Sequence, residues 1–143
     1  FDPDARNVVS SLLQGQAPTR SNGIVAPYLS KVRMAQVTDG LSKTYMLGEK
    51  YLPQEHYVTG QAEGDDLPLL LSEWGVGVRI GNEDLPPLVD QFEIVSPRSF
   101  GSAHTSGFQA AFGDGSVRLV GYDIDSTTHR WLANRRDGQV VAD

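Results

Sequence analysis

The chain has 143 residues, of which 39% are hydrophobic and 21% are charged, so we expect one globular domain rather than a disordered, collagen-like or coiled-coil chain. The chain has 15 glycines and 8 prolines, which predicts many turns and disfavours a helical bundle. The net charge of −6 disfavours nucleic acid and anionic lipid surfaces as partners, and the lack of cysteine excludes disulfides, thiolate metal sites and a cysteine nucleophile.

The first third of the chain predicts a short helix followed by two strands. Asp2 is a suitable N-cap before a proline, and an apolar stripe at helical spacing then ends near Gly15. Residues 15–30 have the composition of a loop, and residues 32–37 show an imperfect strand pattern. Residues 44–52 alternate in a way that suits a strand.

The middle of the chain gives weaker signals. Residues 53–66 contain a proline, two glycines and an acidic pair, which predicts an exposed excursion. Residues 74–80 favour another strand, and residues 81–87 favour a loop. If the chain meets a partner, we expect the two loops to provide the contacts.

The last third gives the clearest local pattern. Phe108–Phe112 and Val117–Tyr122 are β-prone runs joined by Gly113 to Ser116, and the Asp-Gly pair inside this link favours a two-residue hairpin turn. The sequence therefore predicts an antiparallel hairpin near the C-terminus.

A helix and a short strand are predicted after the hairpin. Asp125 or Ser126 can cap a helix that runs to about Arg135 and buries Trp131 and Leu132, and residues 139–142 favour a strand. The whole pattern predicts a single α+β domain over residues 1–143, with an antiparallel β-sheet, a C-terminal β-hairpin and one or two short helices.

His104 and Asp114 form the first candidate pair, with nine residues between them that include the first hairpin strand. A histidine near a carboxylate can bind metal, exchange protons or orient a loop, and the structural role is favoured because two groups complete neither a metal shell nor a triad. Ser102 and Ser106 lie near His104, so a serine hydrolase stays an alternative, although no G-x-S-x-G motif occurs.

Other polar residues have structural and functional interpretations. Asp123 and Asp125 are weak calcium candidates, with solvation or helix capping favoured, and no other cofactor is expected. Glu49 falls on the predicted buried face of its strand, where an unpaired carboxylate would be costly. It would either bind a ligand or, as we favour, accept hydrogen bonds from backbone amides or from an arginine or lysine side chain. His56 and His129 are predicted to face solvent.

Two segments together resemble a known family. VTDGLSKTYMLGEKY, residues 37–51, resembles an I-T-D-G-x-S-N-T-x-x-x-G-E segment, with Lys43 where the family usually has Asn. FGSAHTSGFQAAFGDGSVRLV, residues 100–120, is similar to an H-x9-D-G signature associated with prepilin-type processing. Both occur, in this order, in a large planctomycete family described as a domain of unknown function.

The resemblance implies a pilin-like or type II secretion pseudopilin-like protein. Members generally begin with a basic leader, a cleavage site followed by Phe, and a long apolar anchor helix, so we expect residues 1–143 to be the C-terminal head of a longer precursor that is exported to the periplasm or cell surface. The matching residues, for which the family gives no established chemistry and for which we favour structural roles, are Asp39, Gly40, Thr44, Gly48, Glu49, His104, Asp114 and Gly115. The expected partners are other pilin-like subunits or cell-envelope components.

Besides the serine hydrolase, a binding module stays open as an alternative at this point. Exposed aromatic side chains such as Tyr57 or Trp74 would suit a module that binds carbohydrate or the cell envelope, because stacking on sugars needs an accessible ring beside polar groups.

Overall fold

The computed structural model describes residues 22–24, 32–63, 65, 77–139 and 141. The predicted helix that begins after Asp2, and Trp74 with the two residues that follow it in the predicted strand, lie outside the described residues. Within the described part of the chain, no helix is long and apolar enough to cross a membrane.

The described residues form a small α+β fold, as predicted. Strand β1 is Tyr45–Gly48, and the short strands β2 (Leu88–Val89) and β3 (Gly101–Ser102) pair in parallel. Strands β4 (Phe108–Phe112) and β5 (Val117–Val120) form the predicted antiparallel hairpin, and β1 adds to β4 to give a sheet in the order β1-β4-β5. Among the residues that the structure describes, the strands are accompanied by one α-helix, α1 (Ser126–Leu132), and three 3₁₀ turns (Met34–Gln36, Leu41–Lys43 and Gln54–His56).

The inner face of the sheet carries the core. In β4, Phe108, Ala110 and Phe112 are buried, whereas the residues between them point to the other face, as the period of two requires. Tyr45 of β1 and Phe100 next to β3 pack on these rings, with centroid separations of 5.3 to 6.1 Å. Aromatic pairs at such distances add to the stabilisation that burial alone provides.

The hairpin turn differs from the expected two-residue turn. Phe112 and Ser116 form the last pair, Gly115 N–H donates to the Phe112 carbonyl (2.9 Å), and Gly115 has φ +86°. Asp114 has no positive φ, so only one position needs a left-handed residue. This geometry is a three-residue loop with a glycine bulge, which the same Gly-Asp-Gly letters also permit.

Two predicted strands are wrong or shorter than expected. Residues 34–36 of the predicted 32–37 strand form a 3₁₀ turn, because Val37 N–H bonds to Met34 O and the Gln36 side chain accepts from Arg33 N–H. The predicted 44–52 strand ends at Gly48, after a register shift between Tyr45 and Leu47. Beyond it, Glu49 N–H still donates to Gln109 O of β4, and Lys50 forms an isolated bridge with Phe100.

The two remaining predicted strands, 74–80 and 139–142, are not formed by the residues of these segments that the structure describes. Residues 77–80, the described end of the predicted 74–80 strand, are not in a strand, and neither are Gln139 and Val141. The rest of both segments lies outside the described residues.

The predicted helix is present, but it buries a different side chain. Asp125 caps α1 by accepting a hydrogen bond from Thr128 N–H (2.9 Å). Leu132 is buried as expected, whereas Trp131 is only half-buried and His129, which was predicted to face solvent, has no exposed surface. His129, Leu132 and Ala133 follow the i, i+3, i+4 spacing that defines one helix face. This face of α1 packs on the core, and Trp131 lies beside it.

Candidate functional site

Asp39, in the first of the two motif segments, holds the C-terminal loop. Its buried carboxylate accepts hydrogen bonds from Asp137 N–H (2.7 Å) and Gly138 N–H (3.0 Å). The backbone beside it is joined to the same loop, because Thr38 N–H donates to Arg135 O (2.9 Å). The carboxylate therefore ties two segments that are nearly a hundred residues apart in sequence.

The next motif residues fix how the chain enters β1. Gly40 has φ +104°, a conformation that other residues rarely adopt. Thr44 is fully buried, and its hydroxyl donates to the Gly40 carbonyl (3.0 Å). At Gly48, an added Cβ would lie 2.8 Å from two ring atoms of Phe100, so only glycine allows that ring to pack against β1.

Glu49 links β1 to the two strands beside it. Its carboxylate accepts from Gln109 N–H (2.7 Å), and its backbone N–H donates to Gln109 O (3.1 Å). Its carbonyl accepts from Gly101 N–H (3.1 Å). Of the two interpretations of Glu49, the geometry fits the acceptor for a backbone amide.

The second motif places its two polar residues apart. His104 precedes β4 and is exposed, and Asp114 follows β4, so they lie beyond opposite ends of a five-residue strand. Asp114 accepts from Ser116 N–H (2.9 Å) and Ser116 Oγ (2.7 Å), which with the nearby Arg118 lowers the pKa of its carboxyl group. Asp114 thus acts in the turn, and in the described structure it shares no hydrogen bond with His104.

The serine near His104 is occupied by structural contacts. Ser102 is buried, and its Oγ lies 3.0 Å from Gly107 O and 3.0 Å from the Tyr122 hydroxyl. The His104 backbone N–H donates to the same oxygen (3.1 Å). Within residues 101–107, no hydrogen bond joins a serine hydroxyl to the His104 ring, so His104 is not paired with Ser102 or Ser106 in this conformation.

The calcium candidates do not form a cluster in the described structure. Asp125 Oδ1 is engaged by the backbone and hydroxyl of Thr128, and Asp123 is exposed. Among the residues described, no group of three or more His, Asp or Glu side chains is arranged to hold a metal ion. Calcium binding at Asp123 and Asp125 stays a prediction.

His129 is an unusual buried group that the sequence prediction missed. Its ring lies among Tyr45, Phe100 and Phe108, with centroid separations of 5.5 to 6.2 Å. In the described structure neither ring nitrogen has a hydrogen-bond partner, and burial lowers the pKa of His129 to about 4. The sequence signal that could have found it is its i, i+3 spacing from Leu132.

A recess of about 210 Å³ lies beside β1. Its walls are mainly apolar, and Lys50 and Arg79 lie at its polar side. Lys50 is bonded to Asp65, and burial lowers the pKa of Arg79. The recess is therefore a small, mainly apolar hollow with two cationic side chains in its lining.

The described residues thus form an α+β fold in which four motif side chains, those of Asp39, Thr44, Glu49 and Asp114, form hydrogen bonds within the chain. The chain belongs to the family described as "Protein of unknown function (DUF1559)", whose model matches residues 11–127. Comparison with curated proteins and with solved structures gave no significant match.

Proposed function

We propose that the chain is the globular head of an exported pilin-like or pseudopilin-like protein, which acts by association with other subunits or cell-envelope components rather than by catalysis. The proposal starts from the two motif segments, which occur in the order that the resemblance requires. Family membership is compatible with it and assigns no activity of its own.

The observation that carries the proposal is how the polar motif residues are used. Asp39, Glu49 and Asp114 each accept hydrogen bonds from backbone amides of their own chain, and the Thr44 hydroxyl donates to a backbone carbonyl. Groups held in this way stabilise loops and strand pairing, and they are poorly placed to move protons or attack a substrate.

The proposal is tested on the precursor. We expect the reading frame upstream of Phe1 to encode a short basic leader, a cleavage site followed by Phe, and an apolar segment of about 20 residues. N-terminal analysis of the mature protein from its native cells should then find the leader removed and the protein in the membrane or surface fraction. An upstream frame without an apolar segment would contradict the proposal.

A carbohydrate-binding or envelope-binding module is the second candidate, and Tyr57 is the observation that favours it. Its side chain is 46% exposed, while its hydroxyl donates to the buried Asp90 carboxylate (2.8 Å), so the ring is held in place at the surface. A glycan array tests this role: binding that is lost in Tyr57→Ala would support it, and an array without hits would remove it.

A further inference from the structure

Two neighbouring loops carry most of the large apolar side chains that the described structure leaves exposed. Tyr57 and Val58 follow the 3₁₀ turn at Gln54–His56, and Phe92, Ile94 and Val95 follow β2. Val58 is 95%, Phe92 65% and Val95 71% exposed. We call these five residues the loop patch, and exposed apolar side chains concentrated in this way are typical of interaction surfaces.

The two loops of the patch are joined by hydrogen bonds. Gln54 N–H donates to Gln91 O (3.2 Å), and Glu93 N–H donates to the Glu55 carboxylate at 3.2 Å from one oxygen. From beneath, the buried Tyr51 hydroxyl lies 2.8 Å from Ile94 O and 3.2 Å from Gln91 O. The second loop is thus held on the first with its apolar side chains outward.

Asp90 fixes the other side of the patch. Its buried carboxylate accepts from Leu52 N–H (3.0 Å) and from the Tyr57 hydroxyl (2.8 Å). Burial, together with the hydrogen bond to Asp90 and its negative charge, raises the pKa of Tyr57 to about 12. A surface that is already ordered in this way loses less conformational entropy when it binds a partner.

The two loops of the patch contain acidic side chains. Residues 53–60 and 91–95 contain Glu55 and Glu93 and contain no lysine or arginine. Both glutamates are exposed, and in the described structure no lysine or arginine forms an ion pair with Glu55, Glu93 or Asp90. Among the lysine, arginine, aspartate and glutamate side chains, the two loops therefore offer a partner only acidic ones.

We propose that the loop patch binds a segment of a partner protein in which lysine or arginine side chains flank apolar ones. Such a segment would cover Val58, Phe92 and Val95 and place its cations beside Glu55 and Glu93. Opposite charges at the edge of an apolar contact favour this pairing, whereas a second copy of the chain would bring acidic groups against acidic groups.

The inference deepens the proposed assembly role and rests on it for the identity of a biological partner. The binding chemistry can be tested with the chain alone, so its result does not depend on whether a leader and an anchor are found. A negative result here would remove the loop patch as a docking surface and leave the test on the precursor unaffected.

The experiment is an NMR titration of the isotope-labelled chain with two blocked pentapeptides, one alternating lysine with leucine and phenylalanine, the other carrying glutamate in place of lysine. We expect the lysine peptide to shift the amides of residues 54–58 and 91–95. Its affinity should fall several-fold as ionic strength rises from about 0.01 M to about 0.15 M, because added salt screens exposed charges. The glutamate peptide should leave these amides unchanged.

Variants separate the loop patch from general adhesion. The double change Val58→Ser and Phe92→Ser should weaken the lysine peptide about tenfold or more, since exposed aromatic anchors dominate such contacts. Glu55→Gln with Glu93→Gln keeps the acceptor for the Glu93 amide and should weaken binding a few-fold while lowering its salt dependence. Leu47→Ser, a change at a 55% exposed side chain on the outer face of β1, is the matched control and should have no effect.

Several results would overturn the proposal. They are the absence of shifts at the solubility limit of the peptide, shifts confined to other surfaces, equal binding of the glutamate peptide, and equal weakening by Leu47→Ser. Shifts of the loop amides that depend on protein concentration without peptide would identify a second copy as the occupant and would equally contradict a basic partner segment.

Discussion

Single side chains in this protein act mainly by completing hydrogen bonds that the backbone leaves open. Three carboxylates, those of Asp39, Glu49 and Asp90, accept from backbone N–H groups of distant segments. A charged acceptor binds a backbone amide more strongly than a neutral acceptor does. A side-chain carboxylate can also bind an amide that has no neighbouring strand to pair with. His129 departs from this pattern, because both of its nitrogens are buried without a hydrogen-bond partner in the described structure, as is the hydroxyl of Tyr45 beside it.

We predict that His129 makes the protein sensitive to acid. The pKa of His129 in the folded protein, about 4, lies below the ordinary value of 6.5, so between these values the unfolded chain binds a proton that the folded chain does not. Stability should therefore fall as the pH is lowered from about 6.5 to about 4, and the full effect of such a difference in pKa is roughly 3 kcal/mol. Urea unfolding at several pH values measures it.

The variant His129→Phe isolates this contribution. Phenylalanine suits a site between aromatic rings and takes up no proton, so the variant should lose less stability over the same pH range than the unmodified chain. His104→Gln is the control, because His104 is exposed and its removal should leave the pH dependence as it was. Parallel curves for the unmodified chain and His129→Phe would contradict the prediction.

At the level of elements, the link between the entry to β1 and the C-terminal loop depends on Asp39. We expect Asp39→Ala to lower the free energy of unfolding by about 1 to 3 kcal/mol, because it removes a buried acceptor from two backbone amides. Hydrogen exchange should become faster at Asp137 and Gly138 first. Asp123→Ala removes an exposed carboxylate and serves as the control; equal effects of the two changes would show that Asp39 has no special role in this link.

The hairpin offers a second prediction for an element. Gly115 has φ +86°, and an added Cβ would meet nothing within 4 Å, so a substitution there tests backbone strain alone. Gly115→Ala should destabilise the protein by about 1 to 2 kcal/mol, and Gly115→Asn by less, because asparagine tolerates left-handed backbone better. Thermal unfolding of both variants gives the comparison, and it would be contradicted if alanine were tolerated as well as asparagine.

For the whole molecule, the sequence predicts the parts whose signals are local and misses those that depend on distant contacts. The β4-β5 hairpin and the Asp125 cap follow from turn and capping residues next to one another in the chain. The role of Asp39 could not be predicted, because its partners lie near the other end of the sequence. The position of His129 was missed because histidine is usually exposed, although its helical spacing from Leu132 was visible.

The same distinction applies to the candidate interaction surface. The sequence predicted that loops 53–66 and 81–87 would meet partners, and the described structure does expose Tyr57 and Val58 in the first of them. It gave no indication of residues 91–95, because three large apolar residues in five suggest a core segment rather than a surface. The structure shows how this segment is held at the surface: the Tyr51 hydroxyl donates to Ile94 O, and the Glu55 carboxylate accepts from Glu93 N–H.

The packing of α1 on the sheet leads to a prediction about cooperativity. Leu132 of α1 belongs to the same buried cluster as Tyr45, Phe100 and the β4 phenylalanines, and Arg135 N–H, just after α1, donates to Asn22 O (2.9 Å). Because one core is shared by segments from both halves of the sequence, we expect β4 and α1 to unfold together. Native-state hydrogen exchange should give the slowest amides of both elements the same opening free energy.

Leu132→Ala provides the decisive comparison. Truncation of a buried leucine should lower the free energy of unfolding by about 2 to 5 kcal/mol, and under joint unfolding the amides of β4 and α1 should lose equal protection. Val117→Ala, a change at an exposed side chain on the outer face of β5, should change neither. If Leu132→Ala lowered protection in α1 while β4 kept its original value, the helix would be an independently opening unit, and the prediction of a single domain would be contradicted for these two elements.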